Sequence, residues 1–263
     1  MPFHKWLPAA MVAPTPVSAL LHAVAVVKAG VFTILKVTIY IFGSDFILQA
    51  GASDWLIWFA AVTILLASLI AITKDNLKAR LAYSTVSQLS YIVLGALIAT
   101  EISILGASMH IAMHAFAKIT LFFAAGAILV VTHKTEISQM HGLGRAMPIT
   151  FTAFTLASLS IIGLPPSGGM WSKWYLALGA VQTEQWILLA VLMISSLLNI
   201  FYLLPIAIRG FFAKPQVAEQ YAGIKEAPKT MLFALSVTAL VSIALFFYPD
   251  PFYNLAANAA KGH

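Results

Sequence analysis

A chain of 263 residues with 61% hydrophobic and only 9% charged residues has too little polar surface for a soluble domain, and its mean hydropathy of +0.92 agrees. The net charge of +6 is not gathered into an arm, stripe or tail, which argues against a nucleic-acid partner. With no cysteine, the chain holds no disulfide, thiolate-held iron–sulfur cluster or Cys-rich zinc site, so any electron carrier belongs to another subunit.

Long apolar runs bounded by charge, Gly or Pro predict seven membrane spans, and the first covers residues 17–42. Ahead of it, "PFHKWLPAAM" lacks the basic and apolar regions of a signal peptide, so none is expected. Pro14 and Pro16 predict a helix break just before the helix that carries His22 and Lys28. These two lie six residues apart, about 120° around a helix, and do not share a face; His22 is given only a minor role. Lys36 is near enough to the span's end to snorkel.

The second span, 54–73, opens with Trp55 and Trp58, rings suited to the membrane interface. The third, 81–99, places Ser84, Ser87 or Gln88, and Tyr91 at spacings that share a face. Such residues order water or bind a lysine in one reading and join neighbouring helices in the other, and the spacing does not choose between them.

The fourth span, 103–131, sets His110, His114 and Lys118 at i, i+4 and i+8. That stacks them within about 40° on one face over about 12 Å of rise. Imidazoles accept and release protons near neutral pH, so this column bridged by water is a candidate proton half-channel. Two histidines with no third ligand in view predict no metal site.

The fifth span, 149–179, is interrupted at Pro165, Pro166, Gly168 and Gly169, and Lys173 follows directly. An interruption at membrane depth persists only where protein or a water-filled cavity satisfies the backbone, and beside an ionisable residue it marks a transport site near the midplane. A plain structural kink is the alternative. The sixth span, 185–209, carries Trp186 near its start; the loop 210–228 is mixed in charge and either meets a partner or is simply solvated, the second being favoured; the seventh span covers 229–248.

Seven spans put the termini on opposite sides. With the N-terminus in the cytoplasm, that side holds Lys5, Lys74, Lys78, Arg80, Lys134, Arg145, Arg209, Lys214, Lys225 and Lys229, and the other holds Lys261 and Lys36. The positive-inside rule favours this orientation. Short loops carrying Asp45, Asp54, Glu101 and Glu184 fall on the outer side.

Lys28, Lys118 and Lys173 remain inside spans. A charged residue at a membrane helix centre costs roughly 2.5 to 3.5 kcal/mol on the most lenient scale. None of the nine acidic residues lies in the interior of a span to offset that cost, Asp54 standing at the very start of the second. A lysine whose charged and neutral forms are close in free energy suits proton relay. Sodium is less well served, because a hard cation wants several oxygen ligands. The expected mobile ion is the proton.

The stretches "PFHKWLPAAMVAPTPVSALLHAVAVVKAG", "LAYSTVSQLSYI", "MHAFAKITLFFAAGA" and "GLPPSGGMWSKWYL" together resemble the antiporter-like family shared by Mrp-type cation/proton antiporters and the L, M and N subunits of respiratory complex I. Within it, "WSKWYL" and "ISSLLNIFYLLPI" are most similar to the D subunit of Mrp antiporters. The resemblance implies an all-α integral membrane protein of about seven transmembrane helices: one five-helix antiporter-like repeat with a discontinuous helix, plus flanking helices. Residues 1–53 would close an earlier repeat and supply a linking helix, 54–210 would form the second repeat, and 211–263 a loop, a final span and a tail.

By matched motif, Lys28 resembles the lysine linking two half-channels, Lys118 the central lysine of the second repeat, and Lys173 the lysine on its broken helix. His110 and His114 resemble the family's histidine pair. Family members carry a first repeat upstream that is not seen here, so the chain is expected to be a C-terminal half. Implied partners are the other subunits of an Mrp-type or complex I-like membrane assembly, with protons and sodium as the ions handled. No cofactor is expected: the sequence offers no nucleotide loop and no nucleophile with a placed base. The leading expectation is sodium/proton antiport in the cell (inner) membrane. Redox-driven proton pumping and a non-conducting assembly piece are the alternatives.

Overall fold

The computed structural model describes residues 4–51, 53–214 and 223–261, with the backbone alone at 21–23 and 50. A short helix α1 (Trp6–Ala10) precedes a rod that runs from Thr15 to Phe42 and changes its winding on the way. It comprises α2 (Thr15–Val17), a π-helical stretch Ser18–Ala25, α3 (Val26–Lys36) and a second π-helical stretch Val37–Phe42. There follow α4 (Ser44–Ala50), α5 (Asp54–Thr73), α6 (Leu77–Ile98), α7 (Glu101–Thr132), a 3-10 turn Ile137–Gln139 and α8 (Leu143–Ala146). The chain ends with α9 (Pro148–Ile162), α10 (Gly169–Gln182), α11 (Trp186–Phe212), α12 (Lys229–Phe247) and α13 (Asp250–Ala260).

Among the described residues, α5, α6, α7, α11 and α12 are long and apolar enough to cross a bilayer. The two other predicted spans take different forms: the first is the composite rod, and the fifth is divided into α9 and α10, of 15 and 14 residues. At about 1.5 Å per residue, neither half reaches across a hydrocarbon core of about 30 Å. The N-terminal prolines act differently from those of the fifth span. Pro14 caps the rod in extended geometry and Pro16 falls in its first turn, where a missing N–H is tolerated, so the break lies between α1 and the rod, ahead of the helix that carries Lys28. α13 was not foreseen from the sequence; it packs on α7, with the Phe116 and Phe252 rings 6.4 Å apart.

Local chemistry sets the helix ends. Asn76 Oδ1 accepts from Ala79 N at 3.1 Å, and Thr100 Oγ1 from Ser103 N at 3.1 Å, which caps α6 and α7. Ala99, His133 and Gly163 adopt positive φ just past α6, α7 and α9. The 32-residue α7, about 48 Å long, lies at the centre, against the rod and α6, α9, α10, α12 and α13. Lipid gives helices no hydrophobic reason to associate, so close backbone approach matters more. A Cβ on Gly106 would stand 2.7 Å from Leu176 N, and one on Gly179 would stand 2.6 Å from Ser103 Cβ, so α7 and α10 meet almost backbone to backbone.

The loops gather at the two ends of the helices. At one, Leu77 N and Ile137 N bond Thr135 O and Asp75 O, each at 2.9 Å, which ties the α5–α6 loop to the α7–α8 loop. Arg80 donates there to Lys74 O at 2.7 Å, and Arg145 to Phe211 O at 2.8 Å, so each guanidinium serves the carbonyl end of a helix. Glu226 accepts from Thr150 N at 3.2 Å and Thr150 Oγ1 at 2.8 Å at the start of α9. Within a loop expected to be solvated or to meet a partner, this carboxylate holds a helix N-terminus. Asp45, Glu101 and Lys261 share a cleft at the opposite end, and Asp54 and Glu184 share another.

Candidate functional site

The polar groups expected at membrane depth converge on α7. Lys118 is fully buried, His110 and His114 are 1% exposed, and Lys28 and Lys173 are 6% and 8% exposed. Lys118 Nζ donates to Ser84 Oγ at 2.7 Å and to Leu81 O at 3.1 Å, both on α6. Ser84 therefore touches a lysine, one of the two roles its spacing allowed. Lys28 enters from α3, three residues past the π-helical stretch, and its charge reaches His110, His114 and Lys118. The His22 side chain lies outside the described residues.

Division of the fifth span makes a place for Lys173. Gly163, at φ 91°, ends α9, and a Cβ there would stand 2.8 Å from Lys173 Cδ. The lysine stem thus passes over a position where only glycine fits. Its Nζ donates to Ile162 O at 3.1 Å and to Ser196 Oγ at 3.1 Å. Ile162 O belongs to the carbonyl end of α9, where the helix dipole is negative and intrahelical donors have run out. A half-helix terminus therefore supplies the counter-field that a carboxylate would otherwise give. The gap is closed by neighbours: Gly168 N donates to Ser242 O at 2.9 Å, Gly169 N to Ser160 Oγ at 3.2 Å, and Trp171 Nε1 to Phe246 O at 2.9 Å. Pro165 and Pro166 lie in this segment and contribute no amide donors.

Between the two lysines lie aromatic and imidazole rings. Lys173 Nζ stands 4.9 Å from the centre of the Tyr91 ring. Tyr91 stacks on His110 at 5.8 Å, and His110 on His114 at 5.7 Å. His110 Nδ1 lies 2.8 Å from Ser172 Oγ, whose proton goes to Gly169 O at 3.1 Å. In that arrangement Nδ1–H donates to Ser172, and Nε2 is left as the acceptor of a neutral ring. His110 Nε2, both ring nitrogens of His114, and the amide nitrogen and oxygen of Gln88 are buried without a hydrogen-bond partner among the described residues. Buried polar atoms of this kind are normally satisfied by ordered water. Ser87 is different: it lies 2.9 Å from Ser68 and donates to Ile64 O at 3.0 Å, which joins α6 to α5.

Two residues absent from the sequence reading complete the set. Tyr202 and Asn199, both fully buried on α11, sit beside Ser84 and the end of α9: Tyr202 Oη is 2.9 Å from Ser84 Oγ, and Asn199 Nδ2 donates to Ile161 O at 3.3 Å. The only signal was an i, i+3 polar pair in an otherwise apolar run, and such pairs serve helix packing equally well. The described residues hold no group of three or more His, Cys, Asp or Glu able to bind a metal. The chemistry gathered here is that of amines, imidazoles and hydroxyls, groups that each bind and release protons.

Known proteins resemble this chain in sequence and in fold. The family model described as NADH:quinone oxidoreductase/Mrp antiporter, TM, matches residues 1–199. NADH-quinone oxidoreductase subunit N of Desulforudis audaxviator (strain MP104C) is 39% identical over 207 residues, which are 76% of this chain and 40% of that protein. The chain thus spans less than half the length of that curated relative. A chain of the membrane-bound sulfane sulfur reductase, an archaeal respiratory membrane complex, superposes with a TM-score of 0.87 at 26% identity, over 100% of this chain and 52% of that one. A chain of the Mrp complex from Dietzia sp. DQ12-45-1b has the same fold, with a TM-score of 0.86 at 22% identity over 99% of this chain and 55% of its own.

Proposed function

The chain belongs to the NADH:quinone oxidoreductase/Mrp antiporter transmembrane family, and from that premise we propose that it conducts protons as a membrane subunit of a multi-subunit sodium/proton antiporter. The observation that carries this reading is a pair of buried lysines beside α7 whose ammonium groups rest on hydroxyl and carbonyl oxygens among the described residues: Lys118 on Ser84 and Leu81 O, and Lys173 on Ile162 O and Ser196, with the buried Lys28 within electrostatic reach of the first. The Lys118 and Lys173 ammonium groups rest on neutral acceptors, so in this reading each proton is released when a neighbour becomes charged. His110 and His114, with water at their unpartnered nitrogens, supply the steps between the lysines.

Residues 54–210 form the conducting repeat in this reading, with 1–53 as the linking portion and 211–263 as the closing span and tail. The chain sits in the cell (inner) membrane with its N-terminus cytoplasmic and C-terminus outside, which the gathering of Arg80, Arg145 and Arg209 at one end and of Asp45 and Glu101 at the other supports. It makes and breaks no covalent bond of a substrate, and its partners are the other subunits of the assembly.

A second reading, redox-driven proton pumping, is favoured by the name of the subunit N relative at 39% identity. There, electron transfer in other subunits would power the same lysine relay. Vesicles that carry the assembled complex, with a pH-reporting dye, separate the two. Collapse of a preformed proton gradient on sodium addition supports antiport. No response to sodium, with proton uptake that follows an electron donor, replaces antiport by the redox reading.

A further inference from the structure

We infer that Asn199 and Tyr202 form a positioning strut that ties the proton affinity of Lys118 to the carbonyl end of the broken helix on which Lys173 rests. This rests on the proton-relay reading above and names how two of its stations are coupled.

The argument is one of hydrogen-bond direction. Asn199 Nδ2 donates to Ile161 O at 3.3 Å, which turns its Oδ1 toward Tyr202. An amide oxygen only accepts, so the phenol of Tyr202 donates to Asn199 Oδ1. It is also the donor toward Ser84 Oγ at 2.9 Å, so its one proton is shared between the two oxygens and holds both in place. Ser84 Oγ takes Lys118 Nζ at 2.7 Å on its remaining side. Every member is positioned by the next, from α9 through α11 and α6 to α7.

The strut is not itself a proton wire, because the amide at its far end has no proton to pass on and accepts none. Its two ends are what matter. Asn199 occupies Ile161 O and Lys173 occupies Ile162 O, adjacent carbonyls in the last turn of α9. A change of charge or position at Lys173 moves that turn, and the strut carries the movement to the acceptor that faces Lys118. The backbone at Tyr202 is anchored as well: Arg80 Nη1 donates to Tyr202 O at 3.2 Å, one turn before Pro205, which itself has no N–H to give α11.

The titratable groups facing Lys118 are Lys28 from α3, His114 on its own helix and Tyr202 from α11. The first two remain in a Tyr202→Phe variant, which keeps the ring volume and removes only the hydroxyl. Ser84 then loses the donor that fixes its hydroxyl, and the ammonium form loses an oriented acceptor. From the worth of part of one oriented hydrogen bond, the alkaline limb of the transport–pH profile moves to lower pH by about half a unit.

The test measures proton transport against pH in vesicles carrying the assembled complex, for wild type, Tyr202→Phe, Asn199→Leu, the double variant and Lys118→Ala. The strut predicts shifts of the same sign in both single variants and no larger shift in the double. Lower rates with unshifted profiles, or shifts that add, would overturn it. If Asn199→Leu fails to assemble, the Tyr202→Phe profile decides alone. A Lys118→Ala complex that transports normally overturns the relay and the strut together. An inactive Lys118→Ala complex beside an unshifted Tyr202→Phe profile overturns the strut only.

Discussion

Gly169→Ala puts the whole account of the broken helix at risk. A Cβ at this position would stand 1.9 Å from Ser160 O, 2.8 Å from the Ser160 carbonyl carbon and 3.0 Å from its Oγ. Contacts below 3.0 Å do not persist, so α9 and α10 must part by about 1.1 Å, the difference between 3.0 Å and 1.9 Å. The obstacle is a backbone carbonyl, with no side-chain rotation to absorb it. Overpacking of this kind costs about 1 to 3 kcal/mol, and loss of the Gly169 N to Ser160 Oγ bond adds about 1 kcal/mol. Thermal unfolding of the purified protein in detergent should fall by roughly 5 to 10 °C. Proton transport should fall further than stability explains, because Lys173 lies one turn along α10 and is carried away from Ile162 O. Gly30→Ala is the control: nothing lies within 4 Å of a Cβ there, and stability should hold or rise slightly. A Gly169→Ala protein with wild-type unfolding temperature and transport would refute the reasoning.

Lys173→Met should assemble yet lose proton transport, since its stem is preserved while Ile162 O and Ser196 lose their ammonium partner; dye-reported flux at matched protein levels checks it. Glu226→Ala removes the acceptor at Ile149 N, Thr150 N and Thr150 Oγ1, so it should destabilise the protein by about 1 to 2 kcal/mol and quicken amide exchange at residues 149 and 150 without abolishing transport. Ser87→Ala and His114→Leu should behave in opposite ways. The first loosens the contact with Ser68 and Ile64 and lowers the unfolding temperature with transport kept; the second slows transport with assembly kept, because the His114 nitrogens bond no described protein atom.

The membrane class, the order of the long helices and the division near Pro165 were legible because hydropathy and helix breakers act locally. The alignment of His110, His114 and Lys118 followed from helical period alone, and their rings and ammonium are indeed buried together on α7. Winding was not legible: nothing in the composition of Ser18–Ala25 distinguishes a π-helical stretch from an α-helix. α13 was hidden by its length, since 11 residues are too few for a span. Asn199 and Tyr202 were missed because their role depends on Ser84 and on the end of α9, partners more than a hundred and nearly forty residues away in sequence. Gly163 escaped for a similar reason. The residues that pack against it become known only once α9 and α10 are placed.

The central claim is that protons pass through Lys118. Its most direct test is the initial rate of proton movement in vesicles bearing the assembled complex, wild type against Lys118→Ala, with assembly verified for both. Loss of proton movement in Lys118→Ala, with the complex intact, is the predicted result; a wild-type rate in that variant would contradict the account.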